Sequence, residues 1–319
     1  MPQQTDMPLH ELRAYKPELT KPKDFDEFWD HSLEELARTP IEYSLAKVAY
    51  PSRRAELFKV SFAGFKGAAI EGWLALPAGE RRLPGIVTYH GYNWSPDGDI
   101  HETVNLCLQG YAVLHMSTRG QQGGSADNVI SPHGSIAGWL TKGIQHPEHY
   151  YFRGVFMDAV RAVEVLSSIP EVDSGRIAVA GASQGGGIAL AAAAFSPIPV
   201  VACADYPGFT NFERIIDTAD TMPYQELNEY FRRYSDPVIE QQARKTLAYH
   251  DIMNIGTRIR CHTFMTVGLV DNITPPSTIF AAYNHLNCSK EISVHRYHGH
   301  EFIPGAHRRK LETLLERLY

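Results

Sequence analysis

Residues 176–194 read RIAVAGASQGGGIALAAAA: an apolar run, a single hydroxyl at Ser183 set among Gly181, Gly185, Gly186 and Gly187, then a train of small apolar residues. Glycine tolerates tight or left-handed backbone and close approach by neighbouring segments. The cluster therefore predicts a turn between a strand and a helix that is sharper than ordinary side chains allow, with the Ser183 hydroxyl at its apex. Gly181-Ala182-Ser183-Gln184-Gly185 matches G-x-S-x-G in the strand, turn, helix context that this nucleophile motif requires. A Gly-rich turn or a weak phosphate loop is the bland alternative, and the two flanking elements outweigh it.

Outward from this turn, short apolar strands alternate with longer helical patterns, the signature of a parallel sheet covered by helices on both faces. The strands are PGIVTYH (84–90), YAVLHMS (111–117), RIAVAGA (176–182), VVACADY (200–206), CHTFMTV (261–267) and EISVHRY (291–297), with helices near 100–109, 150–168, 184–195, 276–286 and 304–318. Upstream, DFDEFWDHSLEELA (24–37) spaces Phe25, Phe28, Trp29, Leu33 and Leu36 as one face of an amphipathic helix, with acidic residues in its first turn where the helix dipole favours them. Segments near 41–50, 56–63 and 68–76, separated by PSRR and AGFKG, read as an antiparallel meander that precedes the main sheet. Between 206 and 258, YQELNEYFRRY and DPVIEQQARKTLAYH are helical patterns longer than a crossover needs, so this stretch reads as an insertion over the carboxyl edge of the sheet. No repeat or Gly/Ser linker divides the 319 residues. The expected fold class is α/β in one domain, 1–319: a mostly parallel central sheet flanked by helices, an N-terminal helical and antiparallel extension (1–80), and a helical insertion before the acid-bearing strand.

A formal net charge of −6 with 21% charged residues gives no reason to expect nucleic acid or anionic lipid as a partner. The amino terminus, MPQQTDMPLHELRAYKPELT, lacks the basic start and apolar stretch of a signal peptide, and no run is long enough to cross a bilayer, so a cytoplasmic location is expected. Cys107, Cys203, Cys261 and Cys288 are scattered, form no C-x-x-C pair and have mostly apolar neighbours, which predicts buried free thiols.

A serine hydroxyl needs a positioned base, and the base needs an orienting acid; for a nucleophile of this kind the chain order is serine, acid, histidine. Asp271, in GLVDNITPPS, leaves the strand CHTFMTV just before a proline-started helix. Turn formation or helix capping is the alternative role for an Asp in that company. After the last strand, HGHEF offers His298 and His300; His300 lies further past the strand end and follows Gly299, so it is the candidate base, with His298 structural. The H-x-H-E spacing has no second cluster to complete a metal site, so neither metal nor cofactor is expected. An oxyanion needs two N–H donors, one after the nucleophile and one from the loop after an earlier strand. Gln184 and Tyr92, the latter in HGYNWS (90–95), fill those places, with the Tyr92 ring as a wall of the acyl pocket. Packing is the alternative for His90 and Tyr92. In STRGQQGGS (117–125), Arg119 could bind a substrate carboxylate or brace the loops through a bidentate ion pair; bracing is preferred.

Arg119-Gly120-Gln121, Gly181-x-Ser183-Gln184-Gly185 and His300-Glu301, together with DFDEFW (24–29) and VDNITPPSTIFAAYNHL (270–286), resemble carbohydrate esterase family 7, the cephalosporin C deacetylases and acetyl xylan esterases. The resemblance runs from about residue 1 to the last helix. It implies an α/β-hydrolase fold and a serine esterase that deacetylates small esters such as acetylated xylo-oligosaccharides and cephalosporin C, with perhydrolysis as a related activity. It also implies a homohexamer whose active sites face an internal cavity. The family's nucleophile, acid and base fall on Ser183, Asp271 and His300, its oxyanion donors on Tyr92 and Gln184, and its other motif positions on Arg119, Gly120, Gln121 and Glu301. A peptidase or short-chain carboxylesterase with the same triad, and a non-catalytic scaffold retaining the fold, are the competing readings.

Overall fold

The structure is a computed structural model that describes residues 6–94, 100–121 and 123–319; Ser95 at the end of HGYNWS, Gln122 of STRGQQGGS and the first five residues lie outside the described residues. Among the described residues, nine strands form one sheet: β1 (Tyr43–Val48), β2 (Ala55–Ala63), β3 (Ala69–Pro77), β4 (Leu83–Tyr89), β5 (Ala112–Met116), β6 (Val172–Ala182), β7 (Pro199–Asp205), β8 (His262–Gly268) and β9 (Lys290–His295). Their order is β1-β2-β3-β5-β4-β6-β7-β8-β9. From β5 to β9 every pairing is parallel. The meander expected to precede the main sheet is continuous with it, because β3 pairs antiparallel with β5 through Gly72↔Met116 to Ala75↔Val113.

The helices are α1 (Leu9–Ala14), α2 (Phe25–Ala37), α3 (Ile100–Cys107), α4 (Tyr151–Ser168), α5 (Gln184–Phe195), α6 (Phe212–Thr218), α7 (Gln225–Tyr234), α8 (Pro237–His250), α9 (Ile252–Ile255), α10 (Pro276–His285) and α11 (Pro304–Leu318). Of these, α1 was not expected; its six residues are too few to show a period.

Why the central strands read as unbroken apolar runs follows from their two faces, both of which are covered. Ile86, Val113, Ala178, Val201 and Phe264 pack with Val104, Leu314 and Leu318 of α3 and α11. Their immediate neighbours along the strands, Val87, Leu114, Val179, Ala202 and Met265, join the larger core of α2, α4, α5 and α10 on the opposite face. Such alternation is the two-residue period of a strand written in two apolar alphabets. Helix α5 is buried nearly all round, so its Gly and Ala residues are what permit its close seat on the sheet. Phe25, Trp29 and Leu36 of α2 are buried, Phe28 and Leu33 are half-buried against them, and the Trp29 indole N–H donates to the Tyr249 carbonyl at 2.9 Å.

All four cysteines are free, but only Cys107 and Cys203 are buried; Cys261 and Cys288, just before β8 and β9, are half-buried against the core. Between β7 and β8 the expected insertion is present as α6 to α9, each of its last two helices capped by an aspartate: Asp236 accepts from the Val238 N–H and Asp251 from that of Met253. Among the described residues, no helix is long and apolar enough to cross a membrane.

Candidate active site

At the carboxyl end of β6 the chain turns into α5 through Ser183, whose φ of 57° and ψ of −123° lie in a region that L-residues rarely adopt. Three backbone bonds hold this conformation: the Ser183 N–H donates to the Asp205 carbonyl at 2.9 Å, and the Ser183 carbonyl accepts from Gly187 at 3.1 Å and Gly208 at 2.8 Å. The flanking glycines are sterically required. A Cβ on Gly181 would lie 2.3 Å from the Gly185 carbonyl, and one on Gly185 would lie 2.0 Å from the Tyr89 carbonyl. Next to the turn, the Asp205 carboxylate receives the Lys310 ammonium of α11 at 2.6 Å. Burial alone would lower the Lys310 pKa; the Asp205 charge more than reverses this and keeps it above its ordinary value.

The turn delivers the Ser183 hydroxyl to His300, with Oγ 2.8 Å from Nε2. His300 Nδ1 lies 2.8 Å from Asp271 Oδ2. With Nδ1–H donating to the carboxylate, Nε2 is left as the acceptor for the hydroxyl. Asp271 is fully buried, and its other oxygen accepts the N–H groups of Ile273 at 2.8 Å and Thr274 at 2.9 Å. Thus the turn-forming role weighed for this aspartate coexists with the contact to the histidine. The Thr274 hydroxyl also donates to Asp271 Oδ2 at 2.9 Å, and the Tyr206 ring meets His300 edge-on with centroids 4.6 Å apart. Such a chain can take a proton from a hydroxyl as it attacks a carbonyl carbon and return it to the leaving group. His298 turns away to Glu301, 3.2 Å from its Nδ1, and Glu301 Oε1 also accepts from the Gly299 N–H.

Gln184 is the first residue of α5, so its N–H has no acceptor inside the helix and stands at the positive end of the helix dipole. Its side chain donates to the His90 carbonyl and exchanges bonds with Gln121 at 2.8 and 3.1 Å. Gln121 in turn accepts the Asn93 N–H at 3.2 Å. His90 is a buried brace: Nδ1–H donates to the Gly91 carbonyl at 2.8 Å and Nε2 accepts the Thr118 N–H at 2.9 Å. Burial lowers its pKa, with the Gly91 contact opposing, and the neutral ring is what this pair of bonds requires.

Arg119 is wholly buried and grips Asp158 of α4 with two bonds, Nε to Oδ2 at 2.6 Å and Nη2 to Oδ1 at 2.7 Å, while Nη2 also donates to the Phe65 carbonyl. Burial would lower the Arg119 pKa, but the facing carboxylate raises it. The guanidinium braces the loop after β5 and does not face the cavity. Gly120 follows at a φ of 61°, and its carbonyl accepts the Trp139 indole N–H at 3.2 Å.

Ser183, His300, Tyr92 and Glu301 line one cavity of about 1180 Å³, with Trp94, Met222 and Phe302 exposed at its mouth. Tyr92 is held there by its phenol, which donates to the Glu226 carboxylate, 2.7 and 2.9 Å from the two oxygens, and accepts the Trp139 N–H at 2.6 Å. Burial and the Glu226 charge both push the phenol pKa up, so it stays protonated. Sequence reasoning did not find Glu226, Trp139 or Tyr206, which are brought in by packing, nor did it single out Thr274, which lies in the VDNITPPS stretch three residues after Asp271. Among the described residues, no three His, Cys, Asp or Glu side chains gather as a group that could hold a metal ion.

Over residues 2–318 the chain matches the family described as acetyl xylan esterase (AXE1). It superimposes on the acetyl xylan esterase from Paenibacillus sp. R4 with a TM-score of 0.95 and 39% identity, covering 98% of this chain and 100% of that one. Acetyl xylan esterase 1 from Thermoanaerobacterium sp. JW/SL YS485 gives 0.93 and 33%, with the same coverage. The acetyl esterase Axe7A of Xylanibacter ruminicola is 27% identical over 293 residues, 88% of this chain; the chain spans 65% of that relative's length.

Proposed function

Because the chain belongs to the acetyl xylan esterase family, we propose that it is a serine esterase that removes acetyl groups from small acetylated sugars, acetylated xylo-oligosaccharides foremost, and accepts cephalosporin C. Its mostly parallel sheet flanked by helices is that of the α/β hydrolases. The observation that carries the reading is the continuous chain Ser183 Oγ, His300, Asp271, with 2.8 Å at both links.

In the proposed reaction, His300, held in one tautomer by Asp271, takes the Ser183 proton as Oγ bonds to the acetyl carbonyl carbon. The negative charge that develops on the carbonyl oxygen is received by the N–H groups of Tyr92 and Gln184. His300 then gives the proton to the sugar oxygen as its bond to the acyl carbon breaks. Water, activated by the same imidazole, adds to the acetyl-serine, and acetate leaves. Each oxyanion donor contributes about 2.7–4 kcal/mol to lowering the barrier. A cavity of about 1180 Å³ with aromatic residues at its mouth is suited to an oligosaccharide end.

Ser183→Ala is expected to abolish turnover of p-nitrophenyl acetate and of acetylated xylo-oligosaccharides while leaving the thermal melt close to wild type. Initial rates on acetylated xylo-oligosaccharides, cephalosporin C and p-nitrophenyl esters from acetyl to octanoyl should fall with acyl length. A Ser183→Ala variant that keeps its rate, or preference for a long acyl chain or a peptide, overturns the proposal.

A further inference from the structure

Tyr92 stands in a loop of the proposed catalytic apparatus that is held by side chains from distant parts of the chain. Ser183 is fixed between β6 and α5, and Asp271 by its own turn, but residues 90–94 belong to neither strand nor helix. The loop is a tight turn, with the Trp94 N–H donating to the Gly91 carbonyl at 3.2 Å and Asn93 at a φ of 54°. Two ends of it are tied to neighbouring loops, His90 to Thr118 and Asn93 to Gln121. Tyr92 itself is tied through its phenol, which donates to Glu226, 134 residues along the chain on α7 of the helical insertion, and accepts the Trp139 N–H.

Glu226 is buried, 2% exposed, and its carboxylate is fully engaged. It accepts the Tyr92 hydroxyl, and Oε2 also accepts the Leu140 N–H at 3.0 Å, while the Trp139 N–H reaches the same phenol oxygen from the other side. The Tyr92 and Trp139 rings meet edge to face at 5.2 Å. An independent feature marks this contact as built into the chain. Gly138 has a φ of 111°, and a Cβ there would lie 2.1 Å from the Glu226 carboxyl carbon, so residue 138 must lack a side chain for the carboxylate to sit where it does. Burial pushes the Glu226 pKa up, and the Tyr92 and Leu140 donors pull it back. A buried acceptor with its donors supplied is costly to remove, because the donors are then stranded.

We infer that Glu226 is a positioning residue for the esterase reaction: through the Tyr92 phenol it fixes the 90–94 loop, and with it the Tyr92 N–H, in the place where the oxyanion forms. The insertion thereby completes the donor pair opposite Gln184. This rests on the esterase reading and on Tyr92 as a donor. Only the phenol is touched by the substitution Tyr92→Phe; the N–H that binds the oxyanion remains. An oxyanion donor acts on the transition state more than on the ground state, so its displacement lowers kcat with little change in KM. A displacement of about 1 Å is enough to cost about 100-fold.

The test is a double-mutant cycle on p-nitrophenyl acetate with purified full-length protein. Glu226→Ala and Tyr92→Phe are each expected to lower kcat about 10- to 100-fold with KM within about twofold. The double variant should be no slower than the worse single one, since both break one connection. Glu226→Gln keeps an acceptor for the phenol and for Leu140, and should recover most of the rate. Multiplying single-variant effects, a loss confined to KM, or a Glu226→Ala enzyme with wild-type kcat overturns the inference. If Glu226→Ala does not fold, Tyr92→Phe and Glu226→Gln decide it: loss in the first with retention in the second supports it, and any other pair of results overturns it. Labelling of Ser183 by a fluorophosphonate separates the two levels. Wild-type protein that does not label loses the esterase reading itself, whereas full labelling with unchanged kcat in both Glu226→Ala and Tyr92→Phe removes only the positioning role.

Discussion

Asp271 illustrates how one side chain can satisfy its own loop and still orient a neighbouring imidazole. Oδ1 accepts two backbone N–H groups, from Ile273 and Thr274, and Oδ2 faces His300. An asparagine would keep the first pair through its carbonyl oxygen and turn its amide N–H₂ towards the ring. His300 Nδ1 would then have to accept, which places the imidazole proton on Nε2, facing the serine it should deprotonate. Asp271→Asn is accordingly expected to lower kcat by about 10⁴ with little change in the thermal melt; steady-state rates and circular dichroism on one preparation check it. At this scale much of the site was legible. Ser183 is framed by a motif whose glycines have a steric reason, and Asp271 and His300 each follow a strand end in the expected order. Gln184 was legible as the residue after the motif serine, and Tyr92 only by its place in the HGYNWS loop after an earlier strand. The partners that hold them were not, because nothing in a linear sequence says that a glutamate at 226 will meet a tyrosine at 92.

Among the elements, α4 and the loop after β5 are joined by Arg119 and Asp158. The bidentate pair is buried on both sides, and the Phe65 N–H donates to Asp158 Oδ1 at 2.8 Å, so the same carboxylate also pins the turn between β2 and β3. Removing Asp158 leaves the buried Arg119 with the longer ion pair to Asp127, 3.7 Å from Nη1; losing one partner of a buried pair costs about 3–5 kcal/mol, whereas replacing both by apolar residues costs far less. Asp158→Ala should therefore destabilise the protein by about that amount in urea unfolding, and Arg119→Met combined with Asp158→Leu should recover a large part of it. Equal loss in both variants would mean that the hydrogen bonds to Phe65, and not the charge, matter most. The element pattern itself was largely legible: strand and helix positions follow apolar periodicity, and α7 and α8 fall where the YQELNEYFRRY and DPVIEQQARKTLAYH patterns place them. The continuity of the β1–β3 meander with the parallel strands was not legible, because pairing across β3 and β5 is a choice between distant edges.

For the molecule as a whole, stability against acid is governed in part by histidines shut in the core. His250 is buried among Phe28, Trp29, Tyr150 and Phe156, with Nδ1–H donating to the Thr246 carbonyl and no partner on Nε2 among the described residues. Burial pushes its pKa down to about 3. The unfolded chain takes up a proton near pH 6.5 that the folded chain refuses until about 3. The stabilisation is therefore complete above pH 6.5 and is lost progressively as pH falls towards 3, with a slope of about 1.4 kcal/mol per pH unit from this residue. Unfolding free energies measured from pH 6.5 to 4.5 should show a shallower decline in His250→Leu than in wild type, by about one proton's worth. Identical slopes would show that the core admits water or charge at this ring.

By itself the sequence determined the alternation of strands and helices, the serine turn and the placing of Asp271 and His300 just past strand ends, because these depend on residue type and spacing over a few neighbours. Tertiary structure alone decided which distant groups meet: Glu226 on the Tyr92 phenol, Asp158 on Arg119, Lys310 on Asp205, and the His250 ring among the core aromatics. Those contacts arise where separately formed elements pack, and packing depends on the shape of the whole chain, which no local pattern encodes.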